Sequence, residues 1–224
     1  MPNPEIDIRR YEGQKRASFT VGDLHREGRV DQVEPKLWIV CNDPECFHDV
    51  EFIKRVSEMM ADALYPYAPD CLLAPATRAL MTAYKTAELL GHNQIAIARK
   101  TISPTPPEVL RVSTTSITSG REGELIIDGE TRDMMRGKNV VPFDDVISRG
   151  DTMNGLKELA RMSGANVVAV STVAIEGATP YSVFEQEFRQ DKLVYLAVLP
   201  LFATGKTYNA LMKEKRQVEE IFKK

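Results

Sequence analysis

Two adjacent carboxylates at the end of an apolar run are the residues of this chain best suited to chemistry. They are Asp144 and Asp145 in Asn139-Val-Val-Pro-Phe-Asp-Asp-Val-Ile-Ser-Arg-Gly-Asp-Thr152. Burying two ionisable groups side by side is costly without a task, and such a pair suits the vicinal hydroxyls of a sugar or a magnesium ion. Ser148, Gly150 and Thr152 supply a tight turn rich in backbone donors, and Asp151 opens a helix that runs through Met162 and stops near Gly164. Strand, loop and helix N-terminus gather unpaired N–H groups at the positive end of a helix dipole, a geometry that binds phosphate. Carboxylates beside a phosphate loop point to a phosphorylated sugar.

Two further strand ends carry groups that an anion would meet. Cys71-Leu-Leu-Ala-Pro75 reads as a buried strand, followed by Ala76, Thr77 and Arg78 and then a helix over 79–90 closed by Gly91. The layout repeats that of the first site, so Ala76, Thr77 and Arg78 form a second anion-facing loop. Gln94-Ile-Ala-Ile-Ala-Arg-Lys100 is a strand delivering Arg99 and Lys100 at its end, one a planar fork and the other a point charge. The segment 101–107 after it is too rich in proline to be regular.

The elements that must hold these sites follow from the apolar spacing. A helix is expected to start at Asp43-Pro44 and to bury Phe52, Ile53, Val56, Met60, Ala63 and Leu64. Residues 109–117 and 124–128 predict a hairpin, and Val167–Ile175 a central parallel strand covered on both faces. Leu193–Leu199 is another strand, and Leu37–Val40 a short one in an otherwise mixed stretch. Tyr208, Leu211, Met212, Val218, Ile221 and Phe222 stripe a C-terminal amphipathic helix. Pro142 cannot donate to a ladder, so a local irregularity is expected in its strand. Alternating strands and helices predict an α/β fold with a doubly wound, mainly parallel sheet. In such a sheet the three sites, all at strand C-terminal ends, meet in one crevice. The layout expected is an N-terminal extension over 1–45, a core over 46–204 and the helix over 205–224.

Composition narrows the partners. The 224 residues suffice for a full core, and no apolar run approaches the ~20 residues that span a membrane. The N-terminal residues lack signal-peptide character. A net charge of −3 argues against a general nucleic-acid surface, and residues 1–45 show no helix-turn-helix pattern. Three cysteines give no disulfide framework, so a reducing cytoplasm is expected. Cys41, Cys46 and His48 lie close in sequence, but not at the spacing of common zinc motifs.

The stretch 139–152 resembles the phosphoribosyl pyrophosphate (PRPP) signature of the type I phosphoribosyltransferases: a hydrophobic strand, two acidic residues, two apolar residues and a phosphate loop. Arg149 stands where that family usually has Thr. Ala76-Thr-Arg-Ala-Leu80, with Ala79 in place of a Gly, and Ala87-Glu-Leu-Leu-Gly91 are similar to segments of adenine phosphoribosyltransferases, as is the run from Asp151 to Ala174-Ile-Glu176. Adenine and xanthine enzymes also carry an Arg-Lys pair where Arg99 and Lys100 stand. Ser116–Gly120 departs from the Leu-Glu-Tyr-Gly run common in adenine enzymes. Ser148 stands where hypoxanthine–guanine enzymes commonly have an Asp that handles the purine proton, which favours the adenine or xanthine branch.

The resemblance covers about residues 50 to 200 and implies a purine phosphoribosyltransferase of nucleotide salvage, of adenine or xanthine/guanine type. It implies Asp144, Asp145, Arg99 and Lys100 as catalytic residues, and Ser148, Arg149, Gly150, Asp151 and Thr152 as the cradle of the 5′-phosphate. Ala76, Thr77, Arg78, Arg99 and Lys100 would hold pyrophosphate, and Asp144 and Asp145 a Mg²⁺ ion, directly or through water. It further implies PRPP and a nucleobase as partners, a homodimer, residues 1–45 as a hood over the base, and a mobile loop after Lys100. A PRPP-sensing regulator without catalysis and an orotate-type transferase remain the alternatives.

Overall fold

The computed structural model describes residues 4–41, 46–101, 108–115 and 122–223. Four strands come first: β1 (Ile8–Arg10), β2 (Arg16–Val21), β3 (Leu24–Glu34) and β4 (Leu37–Cys41). The sequence reading found only the last. In β2 the residues Ala17, Phe19 and Val21 are buried and alternate with exposed ones, a period-2 pattern obscured by the charged residues between them. Next come α1 (Val50–Leu64), β5 (Cys71–Pro75), α2 (Leu80–Leu89) and β6 (Ala96–Ala98). The hairpin β7 (Val109–Thr115) and β8 (Glu122–Asp128) leads through a helix that the apolar spacing does not reveal, α3 (Gly129–Met135), into β9 (Asn139–Ile147). Then follow α4 (Asp151–Met162), β10 (Asn166–Val167), β11 (Val170–Glu176), α5 (Thr179–Val183), α6 (Glu185–Arg189), β12 (Leu193–Val194), β13 (Ala197–Leu199), β14 (Leu201–Ala203) and α7 (Gly205–Phe222).

The central sheet runs β6-β5-β9-β11-β12, with β10 also beside β9 and β13 beside β11, and every pairing in it is parallel. Both faces of this sheet are covered. Leu72, Val141 and Phe143 pack with Phe52, Met60 and Ala83 on the side of α1 and α2. Leu73, Val140 and Ile147 pack with Leu156, Leu159 and Phe222 on the side of α4 and α7. A second sheet, ordered β1-β14-β4-β3-β2, places β1 parallel and β4 antiparallel to β14, and its Phe19, Val30 and Val40 join the α1 side of the core.

Several expectations need correction. Residues Asp43 and Pro44, the expected start of the first helix, lie outside the described residues. The helix itself begins at Val50, where Asp49 Oδ1 accepts from the Glu51 and Phe52 N–H groups at 2.9 and 3.2 Å. Pro142 does not interrupt its own strand. It sits where the ladder to β5 ends at Leu73↔Pro142, and the irregularity is on the neighbouring strand. Val167 pairs with Val140 and Ser171 with Phe143, so four steps on one strand face three on the other. That extra residue is a bulge, and it splits the run expected as one strand into β10 and β11. Leu193–Leu199 is likewise split, into β12 and β13. Segment 101–107 lies outside the described residues apart from Thr101, as do residues 116–121.

The N-terminal segment is tied down by polar contacts. Tyr181, fully buried, donates its hydroxyl to the Glu5 carbonyl at 2.7 Å, and Lys215 Nζ donates to the Ile6 carbonyl at 2.7 Å. Tyr181→Phe leaves that carbonyl without its donor and is expected to lower the unfolding free energy by ~1 kcal/mol in urea titrations. Among the described residues, no helix is long and apolar enough to cross a membrane.

Candidate active site

The chain moves from β5 through α2 outward to β6, and from β9 through α4 in the opposite direction to β11. The crevice between the C-terminal ends of β5 and β9 is therefore the switch point of the sheet, where open α/β folds bind ligands. At the end of β5 the loop Ala76–Ala79 has a cis peptide between Ala76 and Thr77, and the Ala76 N–H donates to the Ala98 carbonyl at 2.8 Å. At the end of β9 stand Asp144 and Asp145, each buried. The loop after β5 meets β9 there: Arg78 forms an ion pair with Asp145. Its guanidinium carbon also lies 5.8 Å from the centre of the Phe47 ring.

The two carboxylates differ in surroundings. Burial, reinforced by the charge of Asp145, pushes the Asp144 carboxyl well above the usual carboxylate range. The Asp145 N–H, 2.9 Å from Asp144 Oδ1, and the field of Arg78 act in the other direction. Asp145 Oδ2 is buried and is matched by the Arg78 ion pair rather than by a conventional hydrogen bond. A third carboxyl, Glu176, ends β11 beside them and is buried. Burial pushes it up to about 7, against a hydrogen bond from Ser148 and the charge of Arg78. The sequence motifs do not assign Glu176 to the site. Its signal was nevertheless the same as that of the acidic pair, a carboxylate ending an apolar run.

Residues 148–152, the loop expected to cradle phosphate, lie between β9 and α4. Gly150 caps α4 with φ +90°, a backbone that L side chains rarely adopt, and the Asn154 N–H returns to its carbonyl at 2.8 Å. A Cβ at Gly150 would stand 2.9 Å from Phe184 Cε2 and 3.1 Å from Val183 Cγ1. Gly150→Ala is therefore expected to cost ~2 kcal/mol in stability and to weaken phosphate binding, read by melting and by ribose 5-phosphate titration. Ser148, Asp151 and Thr152 are half-buried beside it. Arg149 is exposed and its guanidinium is ion-paired with Glu34 of β3.

Arg99 and Lys100 stand apart from this group. They follow β6, with β5 between them and β9, and both are exposed. Arg99 exchanges backbone hydrogen bonds with Ile126 of the hairpin, and its charge acts on Asp128. The structure thus joins Arg78, Asp144, Asp145 and residues 148–152, and leaves the Arg-Lys pair at the rim. A cavity of about 660 Å³ between α4 and the hairpin is lined by Thr114, Asp151, Asn154 and Arg161 among others, but not by the acidic pair.

Among the described residues, no three His, Cys, Asp or Glu side chains group into a metal cage, and Cys41, Cys46 and His48 form none. Asp144 and Asp145 offer two hard oxygen donors, the number that suits Mg²⁺ when it takes its other oxygens from a phosphorylated ligand and water.

No family model matches the chain. It is 34% identical over 128 residues to a ribose-phosphate pyrophosphokinase of Pyrococcus furiosus, a match covering 56% of this chain and 38% of that protein. It is 26% identical over 140 residues to an adenine phosphoribosyltransferase of Thermosipho africanus, covering 62% of this chain and 79% of that one. The crystal structure of an adenine phosphoribosyltransferase from Thermoanaerobacter pseudethanolicus superposes with a TM-score of 0.61 at 21% identity, covering 76% of this chain and 94% of that one.

Proposed function

For a chain that has the type I phosphoribosyltransferase fold and is related in sequence to adenine phosphoribosyltransferases, we propose transfer of the 5-phosphoribosyl group from PRPP to a purine base, with release of pyrophosphate. Adenine is the acceptor placed first. The observation that carries this reading is the meeting of Arg78, the acidic pair and the phosphate loop at the switch point of the sheet.

The reaction forms a bond from a ring nitrogen to C1 of the ribose as the C1–O bond to pyrophosphate breaks. The sugar gains positive charge and the leaving group negative charge, so positioning and electrostatics serve it better than a covalent nucleophile. Ser148, Gly150, Asp151 and Thr152 fix the 5′-phosphate through loop N–H groups and hydroxyls, with Arg149 as a further cation. Asp144 and Asp145 orient the ribose hydroxyls and steady the cationic ring. Arg78 leaves its pairing with Asp145 to meet the developing pyrophosphate charge, with Arg99 and Lys100 drawn in from the rim. Asp144 and Asp145 would hold Mg²⁺, directly or through water, and the ion would offset negative charge on the pyrophosphate. The protein is proposed to act as a cytoplasmic homodimer; Met81 and Tyr84, large apolar side chains exposed on α2, give it a surface for self-association that sedimentation would test.

The test is pyrophosphate release from PRPP and Mg²⁺ with adenine, guanine, hypoxanthine, xanthine and orotate in turn. Adenine is expected to give the highest kcat/KM, and chelation of Mg²⁺ to abolish release. PRPP binding with no turnover of any base would replace the enzyme by a PRPP-sensing regulator.

A further inference from the structure

Arg149 occupies the middle of the phosphate loop, yet its guanidinium is committed to a carboxylate on a distant element. Its partner Glu34 ends β3, 115 residues earlier in the chain. The bend that carries Glu34 is fixed at three points. β3 shifts register against β4 between Gln32 and Glu34, and Gln32 Nε2 donates to the Glu34 carbonyl at 3.1 Å. Two residues on, Lys36 turns the chain with φ +67°, and its carbonyl accepts from the Thr204 N–H at 3.2 Å, where β14 gives way to α7. Glu34 is therefore presented to the loop by a braced turn. The two side chains keep 48% and 39% of their exposure, so the pair is open to solvent and to a competitor.

We propose that Glu34 is a positioning residue, which parks the Arg149 guanidinium at the rim of the phosphate loop until a phosphate monoester takes it over. The proposal rests on reading residues 148–152 as a phosphate loop. An exposed ion pair is a weak tie, screened by salt. A phosphate monoester carries nearly twice the charge of a carboxylate and three strong acceptor oxygens, which match the planar fork of an arginine in two places at once. It also gains the loop N–H groups, which Glu34 does not reach from β3. Exchange of partners is therefore favoured once the ligand arrives, and the Glu34 carboxylate lowers affinity in two ways: it occupies Arg149 and it repels the incoming anion. Because Glu34 belongs to the N-terminal sheet, the exchange also removes one tie between that sheet and the loop.

The experiment is calorimetric titration of ribose 5-phosphate into the full chain as wild type, E34Q, E34D, R149Q and E34Q/R149Q. E34Q is expected to bind about five-fold more tightly, the scale of one exposed ion pair, and E34D to stay close to wild type because it keeps the carboxylate. R149Q is expected to bind more weakly, and in its background E34Q should have little effect. In turnover assays the E34Q change should fall on the KM for PRPP rather than on kcat. Affinity of E34Q at or below wild type, at equal melting temperature, overturns the proposal. So does an E34Q effect that persists undiminished in R149Q, since Glu34 would then act without Arg149. Absence of ribose 5-phosphate binding in wild type and every variant overturns the phosphate-loop reading itself, an outcome distinct from equal binding by wild type and E34Q.

Discussion

Asp145→Asn is expected to lower kcat by about 10³-fold, the scale of removing one preorganised electrostatic group from a water-poor site, without unfolding the protein. Asp145, on β9, is ion-paired with Arg78 of the loop that follows β5. An amide keeps its shape and loses the charge that would face an oxocarbenium-like ribose. The fold should tolerate the change for a specific reason. Asp144 has its carboxyl raised by burial first and by the charge of Asp145 second. Removing that charge relieves the neighbour, so the native state loses a repulsion as well as an ion pair. Arg78 keeps 46% of its exposure and can be solvated when its partner is gone. Melting temperature and far-ultraviolet circular dichroism should therefore match wild type while kcat falls. Activity within a few-fold of wild type would remove Asp145 from the machinery.

Glu176→Gln is expected to flatten the pH dependence of stability between pH 4.5 and about 7. The buried Glu176 carboxyl is pushed up to about 7 from an ordinary 4.5. Between those two values the native state holds a proton that the unfolded chain has released, so unfolding free energy falls as pH rises. The burial cost is absent below the unfolded value and fully present above about 7. The gap corresponds to ~3 kcal/mol at most. Glutamine has no proton to lose, so urea titrations of the variant should lose that part of the slope while the Asp144 contribution, of the same sign, remains. Parallel pH profiles for the two proteins would show that Glu176 is ionised at neutral pH in the native state, against the account of its environment. The same burial at the switch point makes Glu176 an example of stability given up around a site.

Much of this arrangement was legible in the residues. The acidic pair, the loop over 148–152 and the loop around Arg78 were marked by apolar runs ending in polar residues, and a parallel α/β sheet necessarily brings such ends to one side. Helical spacing in α1 and α4 and the hairpin pattern of β7 and β8 were equally readable, because local periodicity reports them. What was hidden depends on tertiary pairing. β1 pairs with β14, far along the chain, and the hairpin of β2 and β3 is masked by the charged residues that alternate with its buried ones. The irregularity expected in the strand of Pro142 is absent from it; the bulge falls between β10 and β11 and is a property of the strand pair. Arg149 could be placed in the phosphate loop from sequence. Its ion pair with Glu34 could not, because no local pattern connects a β3 turn to a loop 115 residues later. Arg99 and Lys100 carry the opposite lesson: their strand was readable, but its position as the edge of the sheet, one strand beyond β5, sets them at the rim.

The most direct test of the account is the phosphorus spectrum of PRPP incubated with adenine, Mg²⁺ and the protein. The account predicts that the PRPP signals disappear while pyrophosphate and a nucleoside 5′-monophosphate grow in equal amounts, and that none of this occurs without the base. PRPP signals that broaden on binding but persist unchanged with every purine supplied would contradict it.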